Sequence, residues 1–161
     1  RRAFVAKIDR HYGVRPGLSE RDHSSSGSGD SGLASKTFAV WGIAFKPGTD
    51  DVREAPSLEI VRRLLEEGAL LRVFDPQAME QFQRYFPDHT AERLTYCDGP
   101  EEAAQGAEAV LLLTEWPELL EVNLAEVRER MEVPLIVDGR NMMDPDAVRA
   151  LGFEYSSVGR P

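Results

Sequence analysis

Ala109–Leu113 (AVLLL) is apolar at every position. A strand with one wet face alternates polar and apolar residues, whereas a strand apolar throughout is covered on both faces. Thr37–Ile43 (TFAVWGI) and Leu135–Val137 (LIV) read the same way, and Leu70–Phe74 (LLRVF) adds a further strand. Leu94–Cys97 and Phe153–Ser156 complete a set of five to six short strands. Helical segments lie between them. Pro56–Glu67 places Leu58, Val61, Leu64 and Leu65 on one face, and Gly68 stops it. Asp75–Pro76 is an N-cap followed by proline, opening a helix to about Phe86. Pro100–Gly106 is a short helix, Asn123 with Glu126 forms a capping-box pattern for one reaching Met131, and Asp144–Leu151 begins with an Asp-Pro cap. Strands alternating with helices predict an α/β fold, a mainly parallel sheet covered on both sides. Ligands of such sheets bind at the C-terminal strand ends, near the switch in strand order.

The chain before Thr37 follows a different pattern. Phe4, Ile8 and Tyr12 recur at helical spacing, and Gly13 and Pro16 end the stripe. Residues 19–36 are rich in Ser and Gly with no apolar period, which reads as a flexible linker. The predicted organisation is a helix at 1–18, a linker at 19–36 and a domain at 37–161. The helix is expected to be separate from the domain and weakly anchored, with proteolysis cutting between Ser19 and Lys36.

Charge narrows the partners. The net charge is −9, and the basic residues are scattered among glutamates, so DNA, RNA and anionic membranes would be repelled. No apolar stretch approaches the roughly 18 residues of a membrane span. No signal peptide is visible, and a cytoplasmic location is expected. Cys97 is the single cysteine and cannot form an internal disulfide. His11, His23 and His89 lack metal-ligand spacing, so no metal site is expected. A small anion remains open, because one or two placed cations suffice for it.

The loop after the first strand runs from Gly42 to Pro56 (GIAFKPGTDDVREAP). A dinucleotide loop of the Rossmann type reads G-x-G-x-x-G and turns tightly into its helix. This loop is longer and has only Gly42 and Gly48. The fold is therefore Rossmann-like and doubly wound, without the NAD fingerprint. In place of glycines the loop offers Lys46 and Arg53 near a helix N-terminus, which suits a phosphate. The alternative is a solvated loop whose cations pair with Asp50, Asp51 and Glu54. Arg140, in VDGRNMMDP, either faces the ligand crevice or pairs with Asp138 or Asp144. Thr114–Pro117 (TEWP) follows the fourth strand, at the ligand edge or as a plain helix start. Trp41 and Cys97 are expected in the core. No Ser-His-Asp set or isolated carboxylate pair stands out, and no catalytic residue is predicted.

GIAFKPGTDDVREAPS, FDP at Phe74–Pro76, LLLTEW at Leu111–Trp116 and VDGRNMMDP together resemble the C-terminal domain of UDP-glucose 6-dehydrogenases. The resemblance covers about Thr37 to Pro161, and the N-terminal helix is similar to the end of that family's interdomain helix. Such enzymes oxidise UDP-glucose to UDP-glucuronate with two NAD, as a step toward polysaccharides. The resemblance implies that Phe45, Lys46 and Arg140 contact the nucleotide sugar and that Arg53 reaches the NAD diphosphate. It implies that NAD is held mainly by an N-terminal domain carrying a Gly-rich loop and a cysteine nucleophile. Neither occurs in these residues, so the chain alone is expected to be inactive. The parent enzyme is expected to be homo-oligomeric through the interdomain helix. Sister enzymes act on GDP-mannose or UDP-N-acetylmannosamine, and a stand-alone nucleotide-binding module is a further alternative. The KPGTDDVREAPS wording is nearer the UDP-glucose branch. The linker is longer than the family pattern, and EYSSVGRP differs from its aromatic ending. Arg63, on the predicted helix face, is expected to be a neutral surface cation for both binding and stability.

Overall fold

Ala109–Leu112 is buried at all four positions and lies at the middle of a six-stranded sheet. The structure, a computed structural model, describes residues 2–12, 32–87 and 92–159. In chain order the elements are α1 (Arg2–Tyr12), β1 (Thr37–Trp41), α2 (Pro56–Glu66), β2 (Leu70–Phe74) and α3 (Met79–Gln83). Then come β3 (Leu94–Tyr96), α4 (Pro100–Ala103), β4 (Ala109–Leu112) and a 3-10 turn at Pro117–Leu120. α5 (Leu124–Arg130), β5 (Leu135–Asp138), α6 (Pro145–Ala150) and β6 (Glu154–Ser157) finish the fold. The strand order is β3-β2-β1-β4-β5-β6, and every pairing is parallel. This is the doubly wound Rossmann-like arrangement, with its switch point between β1 and β4. Trp41 stands opposite Phe74 and Leu112, and Leu112 opposite Asp138. Four strands therefore end in one row, and the loops that follow them start side by side.

The local signals act as their chemistry requires. Asn123 accepts a hydrogen bond from the Glu126 amide, and Asp144 accepts from the amides of Asp146 and Ala147. Trp41 is fully buried, with its indole N–H donating to the Pro100 carbonyl at 3.1 Å. Cys97 is buried as well, and that burial pushes its thiol pKa up. The segment after Asp75 departs from expectation. Its helix is confined to Met79–Gln83, with Ala78 at the N-cap position. Asp75 caps a preceding turn instead, accepting from the amides of Gln77 and Ala78.

α1 is not separate from the sheet. Phe4, Val5 and Ile8 are buried in the common core. The Tyr12 hydroxyl donates to the Glu108 carbonyl at 2.7 Å, and its ring meets Phe38 edge-on. An apolar helical stripe with no cover of its own takes the cover the sheet provides. Arg63, read as a neutral cation, joins this docking. Its guanidinium donates to Asp9 on α1 at 2.8 Å and to Glu67 at 2.7 Å. Asp9 is 3% exposed and the Arg63 side chain 39%, so the carboxylate end of this pair is buried and the guanidinium end reaches water. Of the predicted linker, residues 19–31 lie outside the described residues, as does the 13–18 stretch of the helical segment. Its last residues pack: Leu33 is fully buried, and the Ser35 amide donates to the Gly68 carbonyl. No helix among the described residues is long and apolar enough to cross a membrane.

Candidate functional site

Two loops meet at the switch point. The Gly42 amide extends the sheet by donating to the Phe74 carbonyl, and that of Leu113 by donating to the Trp41 carbonyl. Gly42 has φ +81°, and a Cβ there would lie 2.7 Å from the Thr114 Cβ and 2.8 Å from its carbonyl oxygen. Only glycine admits both the conformation and the approach. The Thr114 hydroxyl then donates to the Ala44 carbonyl at 2.6 Å, and the Ser57 hydroxyl to that of Ile43.

The amides of Ile43 and Ala44 are where a dinucleotide loop would present N–H groups to a pyrophosphate. Here both donate to Oδ2 of Asp75, at 2.8 and 3.0 Å. The Trp116 indole donates to the same oxygen at 2.9 Å. The backbone of the first loop is thus already satisfied by an internal carboxylate that is 2% exposed.

Beyond Ala44 the loop turns outward. Phe45 is 50% exposed and Lys46 is exposed. The Phe45 amide donates to the Asp51 carbonyl, closing the excursion. Lys46 has no hydrogen bond or ion pair among the described residues. Arg53 is paired with Asp51 through Nε at 3.0 Å and Nη2 at 2.9 Å. That contact brings the Asp51 carboxyl down to about 2. Of the pairings expected for a solvated loop, Arg53 makes the one with Asp51, and Lys46 makes none among the described residues. Arg53 lines an open cleft of about 540 Å³ with Gln81, Arg84 and Tyr85, on the α3 side.

Arg140 lies on the other side, after β5. Asp138 is fully buried, and its Oδ1 accepts from the Arg140 amide at 2.8 Å. Its Oδ2 accepts from the amides of Met142 and Met143 and from the Tyr155 hydroxyl. Asn141, at φ +56°, makes the turn between them. The Arg140 guanidinium pairs with neither Asp138 nor Asp144. It forms a two-pronged contact with Glu115, Nε to Oε2 and Nη2 to Oε1, the latter at 2.9 Å. This holds the Glu115 carboxyl below its usual range.

The structure thus ties Arg140 to the loop after β4, and that loop to the segment bearing Phe45 and Lys46. Arg53, through its partner Asp51, is joined to the Phe45 amide and lines the cleft toward α3. Sequence reasoning missed Asp75 and Glu115 as builders of the site. FDP and TEW flagged both segments, but each contact spans distant chain positions. No three His, Cys, Asp or Glu side chains among the described residues are grouped to hold a metal.

These features define a Rossmann-like domain whose dinucleotide seat is closed and whose cations stand at the strand ends. A profile of the UDP-glucose/GDP-mannose dehydrogenase family, UDP binding domain, matches residues 39–145. A UDP-glucose 6-dehydrogenase of Pseudomonas aeruginosa is 45% identical over 127 residues, 78% of this chain and 28% of that protein. YwqF of Bacillus subtilis, also a UDP-glucose 6-dehydrogenase, is 43% identical over 129 residues, 80% of this chain and 28% of its own length. Among solved structures, a UDP-glucose dehydrogenase from Pyrobaculum islandicum superposes with a TM-score of 0.69 at 28% identity. It covers 99% of this chain and 29% of the archaeal one. The chain belongs to the UDP-glucose/GDP-mannose dehydrogenase family and matches its UDP-binding domain. It spans about 28% of the length of these curated relatives.

Proposed function

We propose that this domain binds the UDP-sugar of an NAD-dependent UDP-glucose 6-dehydrogenase, with Phe45, Lys46 and Arg140 as its contacts. The observation that carries the reading is Lys46, an exposed cation without a partner among the described residues, beside an exposed aromatic ring at the switch point. An aromatic face suits a sugar or base, and a cation suits a diphosphate. The likeness to UDP-glucose 6-dehydrogenases at 45% and 43% identity supports UDP-glucose over GDP-mannose as the ligand.

The first loop does not fit a dinucleotide, because Asp75 takes the amides of Ile43 and Ala44. NAD, which supplies the hydride acceptor in such dehydrogenases, is therefore held mainly by residues outside this domain. Arg53 would add a contact to its diphosphate from the side. α1 is read as the end of an interdomain helix through which the parent enzyme assembles with copies of itself in the cytoplasm. The chain alone carries no catalytic residue and is inactive.

Calorimetry with UDP-glucose, UDP, GDP and NAD tests the proposal. UDP-glucose and UDP should bind more tightly than GDP or NAD, and Lys46→Ala should weaken UDP-glucose by about 10-fold without moving the melting temperature. Preference for GDP would move the assignment to the mannose branch. Preference for NAD, or steady NADH formation by the chain, would refute it.

A further inference from the structure

Arg140 is held at both ends. Its amide is fixed by Asp138, whose other oxygen gathers the next turn. Its guanidinium is fixed by Glu115, which uses Nε and one N–H of Nη2. Glu115 in turn has little freedom. The residue before it, Thr114, is 1% exposed and bonded to Ala44; the residue after it, Trp116, is 2% exposed and bonded to Asp75. A carboxylate between two anchored neighbours is a fixed point, and a two-pronged contact fixes a guanidinium plane as well as its place. Nη1 has no hydrogen bond among the described residues and is left to take another oxygen.

We propose that Glu115 is a positioning residue. It orients Arg140 so that the remaining edge of the guanidinium meets an anionic oxygen of the bound nucleotide sugar, and it registers Arg140 against the loop bearing Lys46. This rests on Arg140 being a ligand contact. The Arg140 side chain is 34% exposed and that of Glu115 40%, so the share of the pair in fold stability is small and its consequence lies in binding. A guanidinium already held in one orientation loses less freedom when a ligand arrives.

The test uses the full chain, with UDP-glucose as the titrant, in Glu115→Gln, Arg140→Ala and the double variant. Arg140→Ala should weaken binding about 10-fold, and Glu115→Gln about 3- to 5-fold, with melting temperatures unchanged. The double variant should match Arg140→Ala alone, because Glu115 acts through it. In nitrogen-15 spectra the Arg140 Nε–H signal should be protected from exchange in the parent chain and lose that protection in Glu115→Gln. Normal or tighter binding by Glu115→Gln would overturn the proposal, as would losses that add in the double variant. Normal binding by Arg140→Ala would instead refute Arg140 as a ligand contact, which brings down the reading beneath it.

Discussion

The loops after β1 and after β5 are both organised by a buried carboxylate that gathers backbone amides, yet the two carboxylates reach them differently. Asp138 collects its amides from two, four and five residues ahead. Asp75 reaches back 31 and 32 residues for Ala44 and Ile43, and forward 41 for Trp116. One loop is folded by its own sequence. The other is folded by the strand next to it. The first can keep its shape as long as β5 exists, whereas the second exists only once β1, β2 and β4 are assembled.

Amide replacements of the two aspartates should separate these cases most sharply. In Asp75→Asn, whichever way the amide is turned, its NH2 group faces at least two N–H donors. The expected loss is about 3–5 kcal/mol of unfolding free energy, read by urea titration. In Asp138→Asn the amide can turn its NH2 toward the Arg140 amide alone, leaving the carbonyl to the other three donors. The loss should be about 1–3 kcal/mol. Equal losses would mean that the number of donors gathered on each oxygen does not set the cost of the replacement.

Thr114→Val probes the seam between the β1 and β4 loops. It leaves the buried Ala44 carbonyl without its hydroxyl donor and should cost about 1–2 kcal/mol in the same titration. Away from both loops, Arg63→Ala strips Asp9 of its partner on α2. The Arg63 side chain is 39% exposed, so water offsets part of the loss, and about 1 kcal/mol is expected. No change there would mean that the Arg63–Asp9 pair adds nothing to the docking of α1.

The same contrast explains what could be read in advance. The sheet was legible because β4 and β5 are buried at every position. The caps at Asn123 and Asp144 were legible because donor and acceptor lie within three residues. Lys46, Arg53 and Arg140 were picked out by position after a strand, and Phe45 by the family resemblance, but the partners of the two arginines were not settled. Arg140 takes Glu115, 25 residues away, over the nearby Asp138 and Asp144. Asp75 looked like a helix cap because Asp favours the N-cap and proline the first helical position, a pattern that does form at Asp144–Pro145. Its second oxygen is claimed by residues that sequence alone does not bring near. The docking of α1 was missed for a like reason: a Ser- and Gly-rich stretch tells nothing of where the helix before it comes to rest.

The Gly42–Thr114 contact has one more consequence. In many doubly wound proteins the point where strand order reverses is a trench that a cofactor can enter. Here the trench has no floor space, since a single methyl group on Gly42 would collide with Thr114. If the proposed contacts at Phe45, Lys46 and Arg140 hold, a nucleotide sugar has to lie over this seam rather than within it. A surface of this kind sets direction and register but encloses little, so the grip it can offer rests on charge and stacking and not on burial.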